Sequence, residues 1–217
     1  MAEPSKPVRR DPMADPPSPS RVWNLPNYLT MLRLLLVPVF GYLLLTDGGT
    51  NTAARWAAAV VFVVASGTDL ADGAIARKRN LVTTFGKVAD PIADKALTGV
   101  ALLGLSYLGE LPWWVTVVIL GREIIITLAR FVVIRYGVIA ASRGGKAKTV
   151  SQMLAILLYI IPLSGPIAEV RWIIMLIAVA LTVLTGIDYL VRAYRLREKG
   201  QRDRAASAKE APGASGS

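Results

Sequence analysis

The sequence contains no cysteine and no histidine. Disulfides, thiolate nucleophiles, imidazole bases and zinc sites of the usual kind are therefore excluded. Aromatic residues are sparse at 7%, and charged residues make up 18% of the chain. Any catalytic acid, base or metal ligand must come from Asp, Glu, Lys, Arg, Tyr, Ser or Thr. What is abundant is apolar: 53% of the 217 residues are hydrophobic, and they fall in long blocks rather than short periodic ones. Blocks of about 20 such residues suit a hydrocarbon layer about 30 Å thick, at about 1.5 Å of rise per helical residue. The expected fold class is all-α, a polytopic membrane protein. The net charge of +10 is assigned to loops beside anionic lipid, not to nucleic acid.

Six apolar segments are expected, roughly Tyr28–Thr46, Ala53–Ala76, Gly86–Leu108, Trp113–Ile134, Val150–Leu163 and Trp172–Val191. Residues 1–22 are rich in Pro, Ser and charge and read as a disordered tail, and 196–217 read the same way. Between them, 23–195 form a single membrane domain. Lys and Arg concentrate in the N-terminal tail, at Arg77–Arg79, along Arg135–Thr149 and after Val191; the opposite connections hold only Arg55 and Arg171. Positive charge stays inside, so both termini should face the cytoplasm, as six spans require.

Four aspartates interrupt this apolar background. On a helix, Asp69, Asp72, Gly73 and Ala76 share one face, and Gly86, Asp90 and Asp94 share one face of the next. Asp69 lies 16 residues from Ala53 and Asp94 lies 15 from Gly109, which puts both about 22 to 24 Å from the outer side. Asp72 and Asp90 come out near 28 Å. The four carboxylates should converge near the cytoplasmic edge of the bilayer. As an isolated anionic cluster they would repel one another strongly. Two Mg²⁺ or Mn²⁺ ions would balance four carboxylates and prefer their oxygens. The bland alternative makes them interfacial acids or ion-pair partners of Arg77 and Arg79. A divalent-cation transporter is a further alternative, though transport sites favour the midplane between repeated halves, and no repeat is visible.

The pattern Asp69-x2-Asp72-Gly73-x2-Ala76-Arg77-x8-Gly86-x3-Asp90-x3-Asp94 resembles the complete signature of the CDP-alcohol phosphatidyltransferase family. The resemblance implies a six-helix membrane enzyme with the CDP-alcohol phosphotransferase fold, forming a homodimer in a bacterial inner membrane with its active site at the cytoplasmic side. It implies that an alcohol attacks a CDP-linked lipid and CMP leaves. By position, Asp69, Asp72, Asp90 and Asp94 would hold two divalent cations, with Asp94 also the catalytic base. Asp72, Gly73, Ala76, Arg77 and Gly86 would form the CDP-lipid site. The stretches Asn24–Phe40, Gly121–Val133 and Gly145–Met153 resemble the bacterial branch that joins CDP-diacylglycerol to sn-glycerol 3-phosphate. Arg122, Arg130, Lys146 and Lys148 would then attract the acceptor phosphate, unless the two lysines serve topology alone. Inositol phosphate and phosphatidylglycerol are the rival acceptors. Glu123 is expected to pair with Arg130, and Asp188 with Arg192.

Overall fold

A computed structural model of the chain describes residues 25–79, 84–133 and 143–210; its described side chains leave out 25–27, 69–91, 93, 94, 143, 144, 146, 166, 167, 199 and 203–210. Six α-helices account for almost all of it: α1 Leu25–Leu45, α2 Thr52–Arg79, α3 Thr84–Tyr107, α4 Trp113–Val133, α5 Arg143–Ile160 and α6 Pro166–Glu210. No strand occurs among the described residues.

Local chemistry explains the breaks. After α1 the chain turns through Asp47, Gly48 and Gly49 at φ of 53°, 63° and 77°, a left-handed stretch that no helix can continue. Asn51 then caps α2: its Oδ1 accepts the Ala54 N–H at 3.0 Å, while its Nδ2 donates to Asp47 Oδ2 at 2.9 Å. Gly109, at φ 72°, closes α3, and Pro112 precedes α4. Pro162 lies just past α5, and Pro166 opens α6, where its missing N–H is no loss.

Two helical regions depart from the sequence expectation. The helix α5 starts at Arg143, so Lys146 and Lys148 belong to its first turns rather than to a connection. Once Lys146–Lys148 are past the glycine pair, good helix formers such as Ala147 and Gln152 carry the helix back. The helix α6 continues to Glu210, into the segment whose composition reads as disordered. No proline occurs there before Pro212, and Arg202 pairs with Glu198 one turn away at 2.5 Å. Residues 134–142 and 211–217 lie outside the described part.

The helices pack as two triplets. The first, α1, lies against both α2 and α3, while α6 lies against both α4 and α5; α2 meets α5, and α3 meets α4 and α5. One continuous core runs through both, with Phe40, Leu44, Phe62, Leu102, Leu105, Ile119, Ile156 and Met175 all buried. Phe40 and Phe62 stack tilted at 5.7 Å between centroids. Close approach of α1 and α3 depends on Gly104: a Cβ there would stand 2.7 Å from Leu44 Cδ2, too near for any side chain. The outward faces are as apolar as the core, with Leu35, Tyr42, Val60, Phe131 and Leu184 all exposed. A periphery of that composition suits hydrocarbon, not water.

Among the described residues, Tyr28–Gly49 and Ala168–Arg202 are long and apolar enough to cross a membrane, with mean hydropathies of 1.9 and 2.2. Thr52–Thr68 and Ala147–Ile160 are shorter apolar stretches. In α2, α3 and α4 the apolar run is broken by Asp69, Asp72, Asp90, Asp94, Lys95, Arg122, Glu123 and Arg130. Apart from Lys95 and Glu123, the residues that depress hydropathy are those singled out for chemistry.

At the end of the bundle where α2 begins and α5 stops, Arg55 forms a clasp. Its side chain is 4% exposed. Nε donates to the Ile160 carbonyl at 2.7 Å and Nη2 to Glu110 Oε2 at 2.9 Å. Nη2 also donates to the Tyr159 carbonyl, and Nη1 pairs with Glu110 Oε1. Arg171 approaches Glu110 at 4.0 Å and lies 4.8 Å over the Tyr159 ring. One guanidinium thus ties α2 to the free carbonyls ending α5 and to the α3–α4 turn. Arg55→Ala should lower stability by about 3 kcal/mol, read as a fall in the apparent Tm of the detergent-solubilised protein. Arg171→Ala, which removes only a 4.0 Å approach to Glu110 and the contact with the Tyr159 ring, should lower it far less.

Candidate active site

The signature residues divide between two adjoining helices. Asp69, Asp72, Gly73, Ala76 and Arg77 occupy the final third of α2; Gly86, Asp90 and Asp94 occupy the first half of α3. The helices pack against each other and are separated by 80–83 alone. Within each, the expected helical spacing therefore holds. The side chains of all eight, and that of Lys146, lie outside the described residues. No cluster of three or more His, Cys, Asp or Glu able to hold a metal occurs among the described residues, so the aspartate set is judged by its chemistry. Four carboxylates supply only hard oxygen donors, which fit Mg²⁺ or Mn²⁺.

Arg33 enters this region from α1. It is 1% exposed, and its Nε donates to the Ala65 carbonyl at 3.1 Å. Ala65 lies one turn before Asp69 on α2. The buried guanidinium thus makes an internal bond across the α1–α2 contact.

A polar network lies beside the motif helices, spanning α3, α4, α5 and α6. Glu123 of α4 is its hub: Lys148 of α5 donates to Glu123 Oε1, and Arg122 Nη1 donates to the same oxygen at 3.0 Å. Arg122 Nη2 reaches Thr185 Oγ1 of α6 at 3.2 Å. From α3, Lys95 donates to Thr127 Oγ1, and that hydroxyl donates to the Glu123 carbonyl at 2.7 Å. Lys148 is buried, at 7% exposure. Three cations thus surround one carboxylate among the described side chains, and two positive charges are left over. Buried charge of that kind is costly unless an anion completes it.

Of the four residues expected to attract an acceptor phosphate, the structure brings Arg122 and Lys148 together through Glu123. It leaves Arg130 exposed, because eight residues at 100° each carry it about 80° around α4 from Arg122. The expected Glu123–Arg130 pair does not form; Arg122 and Lys148 hold Glu123 instead. Asp188 does pair with Arg192, at 3.0 Å on an exposed face.

Sequence reasoning passed over Lys95, Thr127 and Thr185. Lys95 directly follows Asp94, and a lysine beside an intramembrane aspartate is itself a signal. The two threonines look like ordinary residues of apolar helices and carry no such mark. Gly186 was missed as well. A Cβ built there would stand 3.1 Å from Arg122 Cγ and 3.3 Å from its Nε. The absent side chain is what lets the guanidinium lie along α6.

The sequence profile of the CDP-alcohol phosphatidyltransferase family matches residues 23–184. The chain belongs to the CDP-alcohol phosphatidyltransferase family, whose enzymes are integral to membranes. It is 53% identical over 176 residues to a probable phosphatidylglycerophosphate synthase of Mycobacterium tuberculosis H37Rv, covering 81% of this chain and 84% of the relative. It is 40% identical over 185 residues to a CDP-diacylglycerol–glycerol-3-phosphate 3-phosphatidyltransferase of Bacillus subtilis, covering 77% and 94%. A protein of that name from Pseudomonas fluorescens is 35% identical over 196 residues, covering 83% and 95%.

Replacing Gly186 separates helix stability from site geometry. Gly186→Ala should strengthen α6 by up to about 1 kcal/mol yet push Arg122 aside. Turnover should fall about tenfold with an unchanged or higher apparent Tm; full activity would mean that Arg122 can shift without consequence.

Proposed function

We propose that this protein transfers the phosphatidyl group of CDP-diacylglycerol to sn-glycerol 3-phosphate, giving phosphatidylglycerophosphate and CMP. The observation that carries the choice of acceptor is the 53% identity to the mycobacterial phosphatidylglycerophosphate synthase, over 84% of that protein. The network at Glu123 supports it physically, since among the described side chains its three cations exceed its one carboxylate by two charges, the charge of a phosphate monoester.

In this reading Asp69, Asp72, Asp90 and Asp94 hold two divalent cations, Mg²⁺ or Mn²⁺. When bound, they supply stabilisation of negative charge on the phosphoryl oxygens. Gly73, Ala76 and Gly86 leave room for the cytidine diphosphate to approach the helix backbones, and Arg77 faces its pyrophosphate. Lys148 and Arg122, held by Glu123, fix the acceptor phosphate; Lys146, two residues before Lys148 on the first turn of α5, adds positive charge. The free primary hydroxyl of the acceptor attacks the phosphorus that carries diacylglycerol. A new P–O bond forms as the bond to the bridging oxygen of CMP breaks. Asp94 takes the hydroxyl proton, and CMP leaves with the bridging oxygen and its electron pair. The apolar periphery admits the acyl chains, while the Lys- and Arg-rich end admits soluble substrate and lies toward the cytoplasm. The active enzyme is a homodimer in the bacterial inner membrane.

Purified enzyme given CDP-diacylglycerol should release CMP with sn-glycerol 3-phosphate, and not with inositol 3-phosphate or phosphatidylglycerol. Release with either of the latter alone would reassign the acceptor. Excess EDTA should abolish release, and activity surviving it would remove the two cations from the mechanism. The cation cluster has its own test. Lys148→Met should raise the glycerol 3-phosphate KM about tenfold or more while the KM for CDP-diacylglycerol stays put.

A further inference from the structure

Beneath the Glu123 network lies a second polar layer that the reaction as described does not use. Gln152 follows Lys148 by one turn on α5, and Thr182 precedes Thr185 by one turn on α6. The chain enters α5 at Arg143 and leaves α6 beyond Arg192, so these two steps lead the same way, deeper into the bundle. Ser66 stands in the corresponding place on α2, one turn before Asp69. All three are buried, at 5% exposure for Gln152, 0% for Thr182 and 9% for Ser66. Among the described residues, none of Gln152 Oε1, Thr182 Oγ1 and Ser66 Oγ has a hydrogen-bond partner. α5 packs closely on α6 and also meets α2, so the layer is shared by adjoining helices.

Unpartnered polar atoms are uncommon in a protein interior, and costly in one surrounded by hydrocarbon. Three such atoms, each one turn along its helix from the cation cluster or the carboxylate motif, ask for a ligand with hydroxyl groups. Gln152 Oε1 can accept from a hydroxyl, and the Thr182 hydroxyl can donate or accept. Resting on the acceptor assigned above, we propose that Gln152 and Thr182 select the acceptor by binding its secondary hydroxyl. The acceptor's phosphate lies on Lys148 and Arg122, and its reacting hydroxyl must reach the aspartates of α2 and α3. A three-carbon chain stretched between them passes over the α5–α6 seam, where its middle hydroxyl meets this floor. An acceptor without that hydroxyl leaves the floor unsatisfied and binds the transition state less well. Gln152 and Thr182 touch no reacting atom; they read the substrate between its two ends.

The test compares sn-glycerol 3-phosphate with 3-hydroxypropyl phosphate, which lacks only the secondary hydroxyl, in the full-length enzyme with CDP-diacylglycerol. The wild type should favour the glycerol compound in kcat/KM by about a hundredfold. Gln152→Leu and Thr182→Val should each cut that preference to about tenfold or less. They should do so by lowering the glycerol 3-phosphate value, with 3-hydroxypropyl phosphate left within about twofold. Thr182→Ser, which restores the hydroxyl, should restore the preference. Thr182→Val changes the side chain's polarity and little of its size, and so keeps the test available if Gln152→Leu does not fold. Equal losses for both acceptors, or an unchanged preference in both variants, would overturn this assignment alone. A wild type that turns over neither compound while accepting phosphatidylglycerol would overturn the acceptor reading, and this one with it.

Discussion

A charge buried among apolar helices must bring its own counter-charge, and this constraint organises the molecule. Hydrocarbon offers no water to solvate a stray guanidinium or carboxylate, so each has to be met by a partner held in place. At one end of the bundle Arg55 meets Glu110 and the carbonyls of Tyr159 and Ile160. Toward the other, Glu123 meets Lys148 and Arg122. Between the two lies a core of Phe, Leu, Ile and Ala that requires no such arrangement. The first cluster is closed, with each carboxylate oxygen engaged. In the second, among the described side chains, three cations face one carboxylate, and on the proposed function that excess serves the acceptor phosphate.

The helical pairing places these clusters usefully. With α1 against α2 and α3, and α6 against α4 and α5, the aspartate motif belongs to one triplet and the cation network largely to the other. Lys95 crosses the boundary: it follows Asp94 on α3 and reaches Thr127 on α4. On the proposed function, donor lipid and acceptor would meet these two halves of the bundle, and the reaction would fall at their seam. Membership of the CDP-alcohol phosphatidyltransferase family agrees with such a division, because the chemistry needs two substrates brought together more than it needs a reactive side chain.

Much of this was legible in the residues, and the limits have physical causes. Apolar blocks marked all six helices, although among the described residues only those of α1 and α6 are long and apolar enough to span a membrane, because in hydrocarbon the backbone has no alternative to its own hydrogen bonds. The spacing of Asp69, Asp72, Asp90 and Asp94 marked two helical stretches, and α2 and α3 carry them as helices. Composition misjudged α5 and α6 at their polar ends. Lys146 and Lys148 read as connection, yet they are helical; residues from 196 on read as tail, yet i,i+4 pairing and the lack of proline before Pro212 extend the helix to Glu210. Partner choice was the other limit. Glu123 could face Arg122, Arg130 or Lys148, and only the rotation of α4 against α5 and α6 decides among them. Gly186 is legible only once Arg122 is seen lying across it.

The Arg55 clasp has a mechanical side. It joins the start of α2 to the finish of α5, the two helices that carry the first aspartates and Lys148 at their far ends. Fourteen residues separate Arg55 from Asp69, a lever about 21 Å long. Over that length a tilt of about 3° at the pivot moves the far end by about 1 Å. On the proposed function, a lipid entering sideways and a CMP leaving toward water would use such a movement, and the same joint would return the two helices to one spacing.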